Sequence, residues 1–488
     1  MGNKRSRLTS ALESDDESTE HGTTGTWKMR ATSEINTEIK TRFPAFQMLP
    51  ATERILEYFR SNPTAHGVVV MHGVGTGKTG VGISMMYAWE GVDKIFVVSP
   101  LAMKDEWISK VMEWLPVGYM LHPSDGSCPA RTRIQFYTLD AFAGLCATKT
   151  SRLNIGIENA LVILDECHFL SGNGHVTPVT DQKATEQYKR AERIKEACLE
   201  ARKCILLSAT PMPNRPRDIA VLVNVAVGQE IMPTRSDFEH TFGETGLEND
   251  SQLKSSVKCI ISMHGNVVDL DPIRRHPASN GFIARKGVEI VKVQVTPSVH
   301  AELERNREAG VPDAFYYDTI KTLIKLKLDA ALSHVLALLN TDNNILVYIP
   351  QKESGAVAFL QMLRARLPND ATSAILTGSS SGAHRKNVIR RFGCLDIPQT
   401  DRLRVLVATK AVSQGITLRN GTVVLFVNPT WNIMEFEQVV GRFWRQRVHD
   451  KQYENRELSV LLLLAVNTMG ELAYADTKIW NLAVSKQT

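Results

Sequence analysis

The chain has 488 residues, 43% hydrophobic and 22% charged, with a formal net charge of +5. This is the make-up of a folded globular protein with room for about two to four domains, and a mildly basic balance is compatible with phosphate binding without deciding it. No apolar run reaches the roughly 18 residues of a membrane span; seven scattered cysteines (Cys128, Cys146, Cys167, Cys198, Cys204, Cys259 and Cys394) form no C-x-x-C pair or zinc spacing, which reads as reduced thiols in an intracellular protein.

Residues 1–30 are polar and include the run SDDESTEHGTTGT, too poor in apolar surface to order themselves. The opening Met1-Gly2-Asn3-Lys4-Arg5-Ser6 fits a myristoylation pattern. Such short patterns arise often by chance, so an unacylated, exposed start is expected. Over 31–230, β-branched runs alternate with helical stretches: Val68–Met71, Lys94–Val98 with a helix around Trp107 to Trp114, Ile134–Tyr137, Leu161–Leu164 and Cys204–Leu207. Residues 231–310 are less regular, with GETGLENDSQ and IRRHPASNG, and read as the end of the first domain plus an insertion or linker. Over 311–488 the alternation returns in Ile345–Ile349, Ser373–Leu376, Val405–Ala408, Val423–Val427 and Leu458–Leu464. The expected fold class is α/β: two mostly parallel sheets, each with helices on both faces, because the strands are near-continuous apolar runs.

The first chemical signal comes directly after Val68–Met71. There the chain runs His72-Gly73-Val74-Gly75-Thr76-Gly77-Lys78-Thr79. A glycine-rich turn between strand and helix points backbone N–H groups inward around phosphates, and the helix N-terminus adds its dipole. Gly73, Gly75, Thr76 and Gly77 would form the cradle, Lys78 would reach the β/γ-phosphates of ATP, and the Thr79 hydroxyl would ligate Mg²⁺. The strict pattern wants glycine where His72 stands. The second signal is Asp165-Glu166-Cys167-His168 after Leu161–Leu164, which sets two carboxylates at the sheet's C-terminal edge, where ligands of open α/β sheets bind. Asp165 can hold Mg²⁺ through water, and Glu166 can orient and deprotonate an attacking water. Cys167 reads as a small buried residue, His168 as a link between the ATP site and the second domain.

Together with blocks spread along the rest of the chain, these two resemble the motifs of superfamily 2 helicases, in particular the Swi/Snf-type DNA translocases and the poxvirus nucleoside triphosphatase I group. Leu206-Leu207-Ser208-Ala209-Thr210-Pro211, continuing to Asn214, is similar to motif III, and Phe96–Pro100 through Trp107 to motif Ia; Tyr137-Thr138 resembles motif Ib. Ile345–Tyr348 resembles motif IV, Val407–Leu418 motif V, and Asn428–Asn432 with Gln438–Gln446 motif VI, while Leu376–Ser379 with Arg385 beyond it resembles another conserved block. The resemblance covers roughly residues 43–480. It implies two tandem RecA-like domains with the ATP site in the cleft between them. It also implies an adenine-reading role for Gln47, an ATP contact at Gly415, and coupling roles for Ser208, Thr210 and Gln438. Departures are His72, Cys167 and the Phe443-Trp444 pair.

Phosphoryl transfer needs positioning and charge neutralisation more than covalent chemistry. Arg442 and Arg445, three apart, would share one face of a helix and act as arginine fingers on the γ-phosphate. Ser99, Lys104, Thr138, Thr377, Ser379 and Thr409 are candidate contacts to nucleic-acid phosphates, without base specificity and with strong salt dependence; a helix-capping role stands beside each. Trp107 and Trp431 read as core packing ahead of base stacking. The leading expectation is a monomeric ATP- and Mg²⁺-dependent translocase on nucleic acid, DNA ahead of RNA. A viral setting in transcription, replication or repair, beside the proteins of that process, is expected by analogy. The alternatives are an unwinding helicase on RNA or DNA–RNA hybrids, and a nucleotide-gated binding module without motor activity.

Overall fold

In the computed structural model the described residues are 27–44, 46–73, 76–114, 134–172, 182–209, 218–233, 260–264, 284–299, 301, 312–341, 343–367, 372–393, 398–412, 416, 418, 420–430, 433–444, 457–467, 469–472 and 475–485. The chain divides into two compact units, Met1–Val267 and Val268–Thr488.

The first unit is built on β1 (Gly67–His72), β2 (Lys94–Ser99), β3 (Ile134–Thr138), β4 (Ala160–Asp165), β5 (Lys203–Ser208) and β6 (Ile261–His264). Their order is β3-β2-β4-β5-β1-β6, with every pairing parallel. Alternation along each strand divides the side chains between two cores. Val68, Val70, Ile95, Val97, Leu161 and Ile163 pack with α1 (Lys78–Tyr87) and α2 (Leu101–Trp114). Val69, Met71, Phe96, Val98, Val162 and Leu164 pack on the opposite face with α3 (Gln182–Glu200) and α4 (Asp218–Val227). Each such side chain contributes about 1.5–3 kcal/mol by leaving water.

The second unit repeats the architecture with β7 (Ala284–Gln294), β8 (Ile345–Tyr348), β9 (Ser373–Leu376), β10 (Val405–Ala408), β11 (Val423–Phe426) and β12 (Glu457–Val466). The order is β9-β10-β8-β11-β12-β7, again parallel throughout. One face carries α5 (Pro312–Leu339). The other carries α6 (Gly382–Gly393), α7 (Ile433–Val440) and α8 (Ala475–Ser485). The tandem α/β architecture is therefore as expected, and the ten strands read from sequence are present to within two residues at each end.

Two features differ from the expectation. The stretch 231–310, read as the end of the first domain plus an insertion or linker, supplies an edge strand not only to the first sheet, β6 beside β1, but also to the second, β7 beside β12. Both are hard to see in sequence, because β6 is four residues long and β7 (ARKGVEIVKVQ) alternates charge with apolar side chains as an edge strand does. The polar tail expected over 1–30 also ends earlier. Lys28–Met29 pair antiparallel with Trp89–Glu90, and Arg202 lies over the Trp27 ring at 4.9 Å; residues 1–26 lie outside the described residues. Among the described residues no helix is long and apolar enough to cross a membrane.

Candidate functional site

In the first unit all strands point the same way, so the loops after β1, β2, β3, β4 and β5 share one edge of the sheet. The phosphate loop leaves β1, the acidic pair ends β4, and β5 lies between them.

The loop is shaped by its own hydrogen bonds. Thr76 Oγ1 donates to Gly73 O at 2.7 Å, and Gly77 takes φ +87° as it enters α1, a conformation that favours glycine. Lys78 Nζ donates to the carbonyls of His72 at 3.1 Å and Gly73 at 3.4 Å, so its ammonium curls over the loop. Thr79 is half-buried in the first turn of α1. His72, which departs from the glycine pattern, has a buried ring, with Nε2 3.1 Å from Ser262 Oγ on β6. Gln47 is exposed in the loop before the helix Pro50–Ser61, and nearby Leu49 abuts the phosphate loop, its Cδ1 3.1 Å from where a Cβ on Gly77 would stand. Gly75 lies outside the described residues, as do Thr210, Gly415, Trp431 and Arg445.

Asp165 is 2% exposed. Its Oδ1 accepts the Glu166 N–H at 3.0 Å and its Oδ2 accepts the Trp107 indole N–H at 2.8 Å. Burial, then repulsion from Glu166, pushes the Asp165 carboxyl up to about 7, against the pull of Trp107 and Lys78. Glu166 has φ +53°, and among the described residues no other side-chain-bearing residue has a positive φ. Such backbone strain costs on the order of 1–3 kcal/mol and clusters at functional sites. Cys167 donates its N–H to Leu207 O at 3.0 Å, and burial holds its thiol well above the ordinary range, so it is an inert packing residue. His168 Nδ1 stands 3.2 Å from Ser208 Oγ and 3.2 Å from Glu166 Oε2.

A buried carboxylate whose proton affinity is raised by burial and by the neighbouring Glu166 is well suited to a divalent cation. Among the described residues no group of three or more His, Cys, Asp and Glu could hold a metal ion by itself. That suits Mg²⁺, which commonly takes one or two carboxylates and completes its shell with substrate phosphates and water. Thr79 and Asp165 are the residues that would hold it.

In the second unit Arg442 is 4% exposed, and its Nη1 donates to Ile416 O at 3.3 Å. Arg442 does not stand on the helix expected for it: α7 ends at Val440, and Gly441–Phe443 form a turn. The turn is fixed by Arg442 O accepting the Leu418 N–H at 2.9 Å, which stitches it to the preceding motif. Phe443 is buried, and its Cε1 lies 1.7 Å from where a Cβ on Gly421 would stand; Trp444 lies under the Arg285 guanidinium at 4.7 Å. Arg285, buried on β7, pairs with Glu437 of α7 at 3.3 Å. Gln438 is half-buried on α7. Fully buried Lys327 donates to Asn428 Oδ1 at 2.9 Å and pairs with Asp476 at 2.6 Å.

The candidate nucleic-acid contacts end strands or come just after them. In the first unit, Ser99 is buried at the end of β2, Thr138 Oγ1 caps a helix by accepting the Ala141 N–H at 3.2 Å, and Lys104 is half-buried on α2. In the second unit, Thr377 Oγ1 lies 3.0 Å from the Ser379 hydroxyl, and buried Thr409 stands directly after β10. Sequence reasoning missed the Trp107–Asp165 bond and the Arg285–Glu437–Trp444 cluster. A tryptophan in an amphipathic helix and an arginine in an edge strand carry no local signal of their partners.

A family model described as type III restriction enzyme, res subunit, matches residues 40–213, and one described as helicase conserved C-terminal domain matches 327–447. The chain is 20% identical over 483 residues to a candidate ATP-dependent RNA helicase, R563, of Acanthamoeba polyphaga mimivirus, covering 85% of this chain and 81% of that protein. It is 25% identical over 431 residues to the DNA repair and recombination protein RAD54-like of Drosophila virilis, covering 72% of this chain and about half (51%) of that relative. Among solved structures, the Sulfolobus solfataricus SWI2/SNF2 ATPase core in complex with dsDNA aligns over 91% of this chain and 96% of its own, at 14% identity and a TM-score of 0.38.

Proposed function

Because the chain belongs to the superfamily 2 helicases and carries the motif set of their Swi/Snf-type members, we propose that it translocates on duplex DNA, driven by ATP hydrolysis. At the coarser level the chain is an ATP-dependent nucleic-acid helicase or translocase. The observation that carries the ATPase reading is the convergence at one sheet edge of Lys78 with the Asp165–Glu166 pair, close enough for Lys78 to act on the Asp165 carboxyl.

In this reading the loop amides from Gly73 to Thr79 and the Lys78 ammonium bind the ATP phosphates. Thr79 and Asp165 would hold Mg²⁺, which would supply charge neutralisation for the phosphate oxygens. Glu166 orients the attacking water and takes its proton. Arg442 and Arg445 supply the charge that meets the γ-phosphate, a contribution of roughly 10³–10⁵ in rate. His168 and Ser208 relay the state of the phosphates to the strand-end residues. Ser99, Lys104, Thr138, Thr377, Ser379 and Thr409 grip the nucleic-acid backbone, so binding depends on charge and not on base sequence.

The RAD54-like relative, named for DNA repair and recombination, supports DNA as the track. The mimivirus relative, named as an RNA helicase, supports a second reading, strand separation on RNA, and its source is in keeping with a viral setting under either reading. ATPase rates at fixed salt with single-stranded DNA, duplex DNA and RNA discriminate. Greatest stimulation by duplex DNA is expected; stimulation by RNA with none by duplex DNA would replace the first reading with the second.

A further inference from the structure

We propose that Trp107 is a positioning residue for the metal-binding carboxylate: its indole N–H fixes the orientation in which Asp165 receives Mg²⁺. The inference rests on the ATPase reading above. The Asp165 carboxylate is held at both oxygens, by the Glu166 N–H on Oδ1 at 3.0 Å and by Trp107 Nε1 on Oδ2 at 2.8 Å. Two donors on two oxygens fix the plane of the group, while each oxygen keeps a further lone pair for a cation or its water.

The ring is placed with equal care. Trp107 is 1% exposed, which removes it from the surface and rules out base stacking. A Cβ on Gly82 would stand 2.5 Å from the ring, and the same point is 3.4 Å from Ile163 Cγ2. The indole is thus wedged between α1, which begins with Lys78 and Thr79, and β4, which ends in Asp165. One side chain spans the two elements that carry the phosphate-binding and cation-binding groups. A plain core filler in this slot has no need of a polar atom, and a buried indole N–H is costly without an acceptor. The acceptor here is the carboxylate that would ligate the cation. Outer partners of this kind, when removed, typically weaken metal affinity by about 10–100-fold.

The test is calorimetric titration of the full chain with ADP, with and without Mg²⁺. In Trp107→Phe, ADP binding without Mg²⁺ is expected to stay within about twofold of the parent, and the Mg²⁺-dependent gain in affinity to fall about tenfold or more. A residue that merely fills space would move both equally. Replacing Trp107 with β-(3-benzothienyl)alanine keeps the ring shape and deletes only the N–H, so it decides the matter if Trp107→Phe misfolds. A full Mg²⁺-dependent gain in either folded variant overturns the proposal. A parent protein with no Mg²⁺-dependent gain at all overturns the nucleotide-site reading, and this proposal with it.

Discussion

His168 Nδ1 lies 3.2 Å from Ser208 Oγ, joining the turn after β4 to the end of β5. The same nitrogen is 3.2 Å from Glu166 Oε2, so one imidazole contacts both the carboxylate proposed to activate water and the neighbouring strand. Ser208→Ala removes a hydrogen bond worth about 1 kcal/mol and leaves Lys78, Asp165 and Glu166 in place. Basal ATPase should stay within about twofold, while stimulation by nucleic acid should fall about fivefold or more. Equal stimulation in parent and variant would remove Ser208 from the coupling path.

Lys78→Ala should reduce ATP turnover to background, because the loop His72–Thr79 holds no other lysine or arginine. Glu166→Gln keeps the size of the side chain and removes the base. It should retain ATP binding and lower kcat by about 10²-fold or more, which filter binding and single-turnover hydrolysis separate. Rapid hydrolysis by Glu166→Gln would assign the base elsewhere.

Arg442→Ala should lower kcat by about 10³-fold with nucleotide affinity little changed, as for an arginine acting on transition-state charge. Because Arg442 also donates to Ile416 O in a buried setting, the thermal midpoint should drop as well. Arg442→Lys separates the two effects: it keeps the charge and loses the planar donors. A full ATPase rate in Arg442→Ala would end the finger assignment.

The raised affinity of Asp165 for a proton, up to about 7, has its cause in burial first and Glu166 second. Cation binding requires the ionised form, so below that pH magnesium-nucleotide binding must expel a proton. Calorimetry in two buffers of different ionisation heat should show proton release at about pH 6 and nearly none at about pH 8.5. The sign for folding is the reverse of a salt-bridged carboxylate: the folded chain holds this proton more tightly than the unfolded chain. Asp165 therefore costs stability as pH rises from about 4 to about 7. Proton uptake on binding would contradict this environment for Asp165.

Gly421→Ala would drive a Cβ into the buried Phe443 ring. Overpacking of this kind costs about 1–3 kcal/mol, read by chemical denaturation. Combining it with Phe443→Leu should recover most of the loss, since the smaller side chain vacates the clash. No recovery in the double variant would mean that Gly421 is required for its backbone and not for the room it leaves.

Strands such as those of Ile163 and Val407, buried on both faces, stand out in sequence as unbroken apolar runs, which is why both sheets were legible. The phosphate loop and acidic pair were legible for another reason: contiguous residues at fixed spacing suffice to make them. Relationships between distant residues were not. The indole N–H that meets Asp165 comes from another helix, and the guanidinium over Trp444 comes from an edge strand of charged alternation. The Phe443-Trp444 departure makes sense only once Gly421 and Arg285 are seen beside it. Arg442 stands beyond the helix expected to carry it, because α7 stops at Val440, where the chain turns.

Because β6 completes the first sheet and β7 the second, dissecting the protein has one permissible place to cut. Severing it at residue 310, where the sequence pattern resumes, strips the rear fragment of β7 and with it Arg285, and leaves that strand dangling from the front fragment as an adhesive, unpaired edge. Fragments divided between His264 and Ala284 keep both sheets whole, and they are the pair to express when each half is to be studied alone.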